Sequence, residues 1–355
     1  MNRLFRPIVD DIAEYKPGKN PEKPGVIKLA SNENPFGPSP KALQAIKNTV
    51  EKLQTYPDQK SISLRAALSK KLRVDEASII IGNGSDDIMQ IAGATFISPG
   101  DEIIIPKNSF GVYTLVTKIF EGVPVFVDLK DYKMDLDAMA QAISPRTKLI
   151  FLTNPHNPTG TYFGKDALLS FLQKVPENVL VILDEAYGEF AEAPDFPRSI
   201  DEIILGRKNI LILRTFSKYY GLAGLRVGYG ITAPELVSAM LKVKMPFNVN
   251  RLSQAGAATA LEDKGFLEKT LKNNSEGKKQ LYEGLGALGL TYNKTESNFI
   301  LVEANKPADE IFLKMMAEGI IIRPLTSFGI PNAIRLSIGT KDQNKKMLEA
   351  LKKAL

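Results

Sequence analysis

Four segments of this chain set polar side chains directly at the end of an apolar run. They are IIIGNGSDDIM (79–89), TNPHNPTG (153–160), ILDEAYGEF (182–190) and RTFSKYYGLAGLRVGY (214–229). In the first, glycines permit a tight strand-to-helix turn, and the N–H groups of Ser85 and Asp86 at the start of a helix can hold a phosphate. Such a turn also serves plain packing, and the G-x-G-x-x-G dinucleotide pattern is not met because position 87 is Asp. Asp184 ends the run VLVIL. An acid there needs a reason, since burying it unpaired is costly. It can pair with a protonated pyridine nitrogen or cap a helix. Lys218 follows NILILRTFS, with Ser217 and Arg226 beside it in a stretch holding Gly221, Gly224 and Gly228 and little other charge. Most lysines are solvated surface groups, but one held near a second cation and partly desolvated acts as a nucleophile and proton carrier.

The rest of the composition narrows the chemistry. There is no cysteine, which excludes disulfides, thiolate catalysis and cysteine-ligated zinc. The single histidine, His156, rules out a multi-histidine metal site, so no metal site is expected and proton transfer falls to Lys, Asp, Glu or Tyr. The net charge of +6 is spread along the chain and interleaved with acids, unlike the clustered charge of a nucleic-acid binder. It suits a phosphorylated ligand and anionic substrates. No apolar run approaches the roughly 18–20 residues of a membrane helix, and MNRLFRPIVDDIAEY lacks the apolar core of a secretory signal. No nucleic-acid or membrane partner is therefore expected, and a cytoplasmic location is.

The elements that must position these groups alternate. A helix opened by Ser39-Pro40 runs to Leu53, and SLRAALSKKL forms another. Strands follow at 78–81, 102–105, 123–127, 148–153, 178–183 and 209–214, separated mostly by helical segments such as DDIMQIAGATF and KDALLSFLQKV. Near-continuous apolar strands flanked by helices predict an α/β doubly wound, mainly parallel sheet, and each chemical segment falls where such sheets bind ligands. After about Asn250 the texture becomes α+β: helices over 252–263 and 265–288, then SNFILVE, PADEIFLKMMAEG, IIIRP, AIRLSIG and a last helix. The expected organisation is an N-terminal arm (1–34), a large domain (35–250) and a small α+β domain (251–355).

The set N-P-x-N-P-T-G, D-E-A-Y and S-K with an Arg eight residues on resembles fold-type I pyridoxal 5′-phosphate (PLP) aminotransferases. TFSKYYGLAGLRVGY, LASNENPFGPSP, YKPGK and IRLSIGT are more narrowly similar to the histidinol-phosphate aminotransferase family. The likeness runs from about residue 12 to the C-terminus, with 27 residues from Asn157 to Asp184 and 34 from Asp184 to Lys218. It implies the PLP-dependent transferase fold and a role for each residue. Lys218 carries the cofactor through its amine and moves the proton, while Asp184 keeps the pyridine nitrogen protonated. Asn157 and Tyr187 bond the ring oxygen, and Phe110 stacks on the ring, where the family more often has Tyr. Ser217, Arg226 and the amides around Ser85 and Asp86 hold the phosphate, Arg226 bidentately. Tyr56 reaches the phosphate in the neighbouring subunit, which implies a homodimer with shared sites.

The resemblance also places Arg335 on the substrate's anionic group, helped by Arg323 and by Tyr15 from the arm. Arg323 can equally be a surface ion pair. Arg335 lies inside an apolar strand, where an arginine must point at an anion. His156 reads as a loop residue, lining the site entrance at most. The expected reaction is transfer of an amino group from a small-molecule donor, histidinol phosphate first, to 2-oxoglutarate. An aromatic aminotransferase or a threonine-phosphate decarboxylase of the same fold is the nearest rival. A non-catalytic PLP-binding regulatory protein is the rival of another class, and no appended DNA-binding domain favours it.

Overall fold

The structure, a computed structural model, describes residues 4–14, 18–21, 24–202 and 206–355. Seven segments form the central sheet: β1 (Ile79–Gly82), β2 (Glu102–Pro106), β3 (Val123–Val127), β4 (Thr147–Thr153), β5 (Leu180–Asp184), β6 (Ile210–Thr215) and β7 (Gly228–Ile231). Their order is β1-β7-β6-β5-β4-β2-β3. β7 runs antiparallel to both neighbours and every other pairing is parallel. Successive residues of a strand face opposite sides, and both sides here are buried. Ile79, Ile81, Ile104, Val181 and Leu183 enter one core, while Ile80, Ile103, Ile105 and Ile182 enter another. That is the α/β sheet covered on both faces which the apolar runs predict. β3, at the edge, is the strand with exposed positions, and it carries Pro124, whose missing N–H is tolerated there.

Several helices open on side-chain caps, at Ser39, Asp135, Asn250 and Thr340. Ser39 accepts the Ala42 N–H at 3.1 Å and Pro40 occupies the first turn of α1 (Pro40–Lys47). α1 stops at Lys47 rather than running on to Leu53. Asn48, Thr49 and Val50 are poor helix formers, and Val50–Lys52 forms a separate 3-10 turn. α2 (Ser85–Phe96) follows β1 after two residues, and α3 (Val112–Ile119) follows β2. β7 was not anticipated. Gly228 and Gly230 lower the strand signal of its four residues, and its stability comes from ladders on both sides with β1 and β6.

The C-terminal part builds a second, antiparallel sheet. Its strands β8 (Phe299–Glu303), β9 (Arg323–Pro324) and β10 (Ala333–Ser337) lie in the order β8-β10-β9. Leu281, Ile300, Val302, Ile311, Ile334 and Leu351 gather there in a core of their own. The N-terminal segment joins it: Ile27–Lys28 pair in parallel with Ile320–Ile321, and Leu29 is buried in the same core. α4 (Arg251–Ala260) and the first turn of α5 (Lys264–Ala287) pack instead with the large sheet, through Ala257, Ala260, Leu261, Phe266 and Leu267. We therefore propose that the smaller unit begins within α5 rather than at residue 251.

Candidate active site

The parallel strands deliver their C-terminal ends to one rim, and a cavity of about 220 Å³ opens there. β1 leads to Ser85 and Asp86, β2 to Phe110, β4 to Asn157, β5 to Asp184 and Tyr187, and β6 to Ser217 and Lys218. Because β7 runs the other way, the residues just before its start return to the same rim and bring Arg226 with them. All of these line the cavity, and the second sheet adds Arg323 and Arg335. Eleven expected site residues thus converge from the ends of six strands of the large sheet and from two strands of the small one. Tyr56 does not join them. It is 78% exposed and stacks on Phe247, itself 42% exposed, at 4.7 Å. Tyr15 lies outside the described residues. His156 is buried within its own loop, with Nδ1 2.9 Å from Thr159 Oγ1, and is not on the cavity wall. Burial pushes its pKa down to about 3, so it stays neutral.

Asp184 is the buried acid of the cavity, 5% exposed. Its Oδ1 accepts the Ala186 N–H at 3.0 Å and its Oδ2 accepts the Tyr113 hydroxyl at 2.7 Å. Burial nevertheless pushes its pKa up to about 6 against these two bonds. Tyr113 itself is fully buried, and desolvation and the Asp184 charge hold its pKa well above the usual phenol value. It therefore remains a donor to Asp184. Tyr113 was missed in the sequence, although a tyrosine inside the apolar helix VYTLVTKI requires a partner for its hydroxyl. Lys218 Nζ donates to the Ser31 carbonyl at 2.8 Å and stands 5.7 Å from the centre of the Tyr187 ring. Beneath them, Arg214 of β6 grips the fully buried Glu185 at 3.0 and 2.6 Å. Burial opposes the Arg214 charge, yet Glu185 and Glu189 raise its pKa above its ordinary value. This pair locks the ends of β5 and β6, which carry Asp184 and Lys218.

At the other end of the cavity the backbone is shaped for an anion. Gly84 has φ +91°, and a Cβ there would stand 2.8 Å from Arg226 Nη2. A Cβ on Gly228 would stand 2.6 Å from the Ser85 nitrogen. Both glycines let the start of α2, whose first N–H groups lack helical partners, approach Arg226 and the beginning of β7 closely. Arg226 donates to Asp86 Oδ2 at 3.2 Å, and both side chains keep about two-fifths of their surface exposed. The Asp86 carboxylate thus faces the guanidinium, while its backbone N–H belongs to the helix start. Across the cavity, Arg335 donates to the Asn157 side-chain oxygen and, at 2.9 Å, to the Ala30 carbonyl. Arg323 and Arg335 are direct partners on β9 and β10. Like charges directly opposite one another repel, and both arginines face the cavity.

The fold and this rim define a PLP-type α/β transferase, and comparison with known proteins agrees. Residues 24–351 match the family "Aminotransferase class I and II". The histidinol-phosphate aminotransferase of Moorella thermoacetica is 44% identical over 99% of this chain and 92% of its own length. That of Caldicellulosiruptor saccharolyticus is 40% identical over 99% of this chain and 100% of its own. The crystal structure of the Sinorhizobium meliloti histidinol-phosphate aminotransferase in complex with pyridoxal 5′-phosphate superposes with a TM-score of 0.92. It shares 27% identity and covers 100% of this chain and 98% of that one. The chain belongs to the class I and II aminotransferases and, within them, to the histidinol-phosphate aminotransferase family. It is an aminotransferase acting on small molecules. No helix among the described residues is long and apolar enough to cross a membrane.

Proposed function

We propose that this aminotransferase moves the amino group of L-histidinol phosphate to 2-oxoglutarate in the cytoplasm, using PLP, as a homodimer. The observation that carries the substrate assignment is the Arg323–Arg335 pair, set directly opposite on adjacent strands at the cavity. Two arginines opposite one another on adjacent strands concentrate positive charge at the cavity, and a phosphate has oxygens for both. An aromatic donor brings one anionic group, its α-carboxylate, to a cavity that presents two arginines.

The residues present fit PLP. The buried, uphill Asp184 calls for a cationic partner, and the Gly84 and Gly228 backbone leaves room for a phosphate beside Arg226. When bound, PLP supplies a ring that accepts the electrons released at the substrate carbon. Asp184 would hold the ring nitrogen protonated, and Tyr113 would hold Asp184 in place. Asn157 and Tyr187 would bond the ring oxygen, and Phe110 would cover one face. Ser217, Arg226 and the N–H groups of Ser85 and Asp86 would bind the phosphate. Lys218 would carry the cofactor through its amine and, once released by substrate, take the proton from the substrate carbon. The Ser31 carbonyl holds that amine at the cavity wall in the meantime.

The exposed Tyr56, stacked on the exposed Phe247, supports the dimer, because a tyrosine outside its own cavity can complete a partner's. Borohydride reduction of the yellow holoenzyme should bleach it and leave a pyridoxyl group on Lys218, read by peptide mass spectrometry. A label on another lysine defeats the assignment. Turnover of histidinol phosphate should exceed that of phenylalanine, tyrosine and threonine phosphate; a preference for phenylalanine or tyrosine moves the aromatic reading ahead.

A further inference from the structure

The segment LASNENP carries family resemblance but no assigned chemistry, and its Asn32 is 1% exposed at the junction of the two sheets. Each polar group of Asn32 is engaged. Its N–H donates to Ser337 Oγ at 2.9 Å, and its carbonyl accepts Asn298 Nδ2 at 2.9 Å. Its Oδ1 accepts the Ser337 hydroxyl at 2.9 Å, and its Nδ2 donates to Tyr187 Oη at 2.9 Å. The backbone sits at φ 57°, a left-handed conformation that Asn tolerates better than most residues. A tie between sheets would need only the contacts with Ser337 and Asn298. The bond to Tyr187 does something else.

Ser337 Oγ receives the Asn32 N–H and donates its own proton to Asn32 Oδ1. That choice fixes the amide with its NH₂ toward Tyr187. An amide NH₂ only donates. The Tyr187 oxygen therefore accepts, and its own proton is left to point elsewhere. Tyr187 is 5% exposed and lines the cavity, with its ring held edge-on against Phe299 at 5.0 Å. We propose that Asn32 is a positioning residue that makes Tyr187 a hydrogen-bond donor into the cavity. The inference rests on the reading above, in which Tyr187 meets the cofactor's ring oxygen. Ser337 lies two residues beyond Arg335 on β10, so the strand that presents the substrate arginine also orients this amide.

A donor to the ring oxygen favours its anionic form, so losing that donor should raise the pH midpoint at which the bound cofactor's absorbance changes. The experiment titrates holoenzyme spectra. Tyr187→Phe should raise the midpoint by about half to one pH unit, from the net worth of one hydrogen bond. Asn32→Asp keeps the shape and the tolerance for positive φ but can only accept, so the phenol should turn its proton away from the cavity. The midpoint should rise at least as far as in Tyr187→Phe, and the same substitution should add less when Tyr187 is already Phe. Ser337→Ala, which releases the amide from its orientation, should raise the midpoint by less and only with Tyr187 present. A midpoint that moves in Tyr187→Phe but stays at the wild-type value in Asn32→Asp and Ser337→Ala overturns the inference, as do equal shifts with and without the phenol. A midpoint unmoved by Tyr187→Phe removes the cofactor contact itself, and the inference with it.

Discussion

Asp184→Asn separates what the cavity costs the protein from what it does for the cofactor. Burial raises the Asp184 pKa from 3.8 to about 6. A shift of about two units corresponds to about 3 kcal/mol against the ionised form. A folded-state pKa raised above the unfolded value makes a contribution to stability that is present below about pH 4 and lost as pH rises through about 6. Without cofactor, the wild type should lose about 3 kcal/mol from this group over that window, of which about 1.4 kcal/mol falls between pH 5 and 8. Asparagine keeps an oxygen for the Ala186 N–H and offers its NH₂ to the Tyr113 oxygen, so the site stays filled. The stability difference between variant and wild type, taken from urea unfolding of the apoenzymes, should therefore grow in favour of the variant by about 1.4 kcal/mol from pH 5 to 8. Titrations shared by both proteins cancel in that difference. With PLP bound the order should reverse, because the ionised acid then faces a cation, and the variant should bind PLP weakly and turn over slowly. A difference that is flat with pH, or a variant equally favoured with and without PLP, refutes the reasoning.

Gly228→Ala should weaken PLP binding by at least tenfold in equilibrium titration, since its Cβ would lie 2.6 Å from the Ser85 nitrogen and push the start of α2 off the anion site. Unchanged affinity would show that the phosphate sits elsewhere. Arg323→Ala should raise the KM for histidinol phosphate by the loss of one charge-assisted contact, about 2 kcal/mol or roughly 30-fold, and that for glutamate much less. Equal effects on both donors would remove the phosphate reading. Tyr56→Phe should lower PLP affinity by about one to two decades, for a bond to a charged group worth ~1.5–3 kcal/mol. Mixing it with Lys218→Ala should restore some wild-type sites, and verified heterodimers without recovery would mean self-contained subunits.

The side chains that line the rim were legible because an open α/β sheet makes their placement local. An apolar run ending in Asp184 or in Ser217-Lys218 announces a buried strand that surfaces at a polar group, and parallel strands all surface at one end. Three things were not legible. β7 is four residues with two glycines, and no local signal says that it is antiparallel; only that direction returns Arg226 to the rim. Tyr113 and Asn32 act on Asp184 and Tyr187, 71 and 155 positions away, through hydrogen bonds that no spacing encodes. Arg323 and Arg335 read as two separate arginines until the pairing of β9 with β10 sets them face to face. The sequence by itself determined which side chains sit at strand ends, since hydrophobic periodicity is a property of neighbours along the chain. Register, strand direction and the partners of buried polar groups were decided by tertiary structure, because they depend on which distant surfaces are pressed together when the apolar faces leave water.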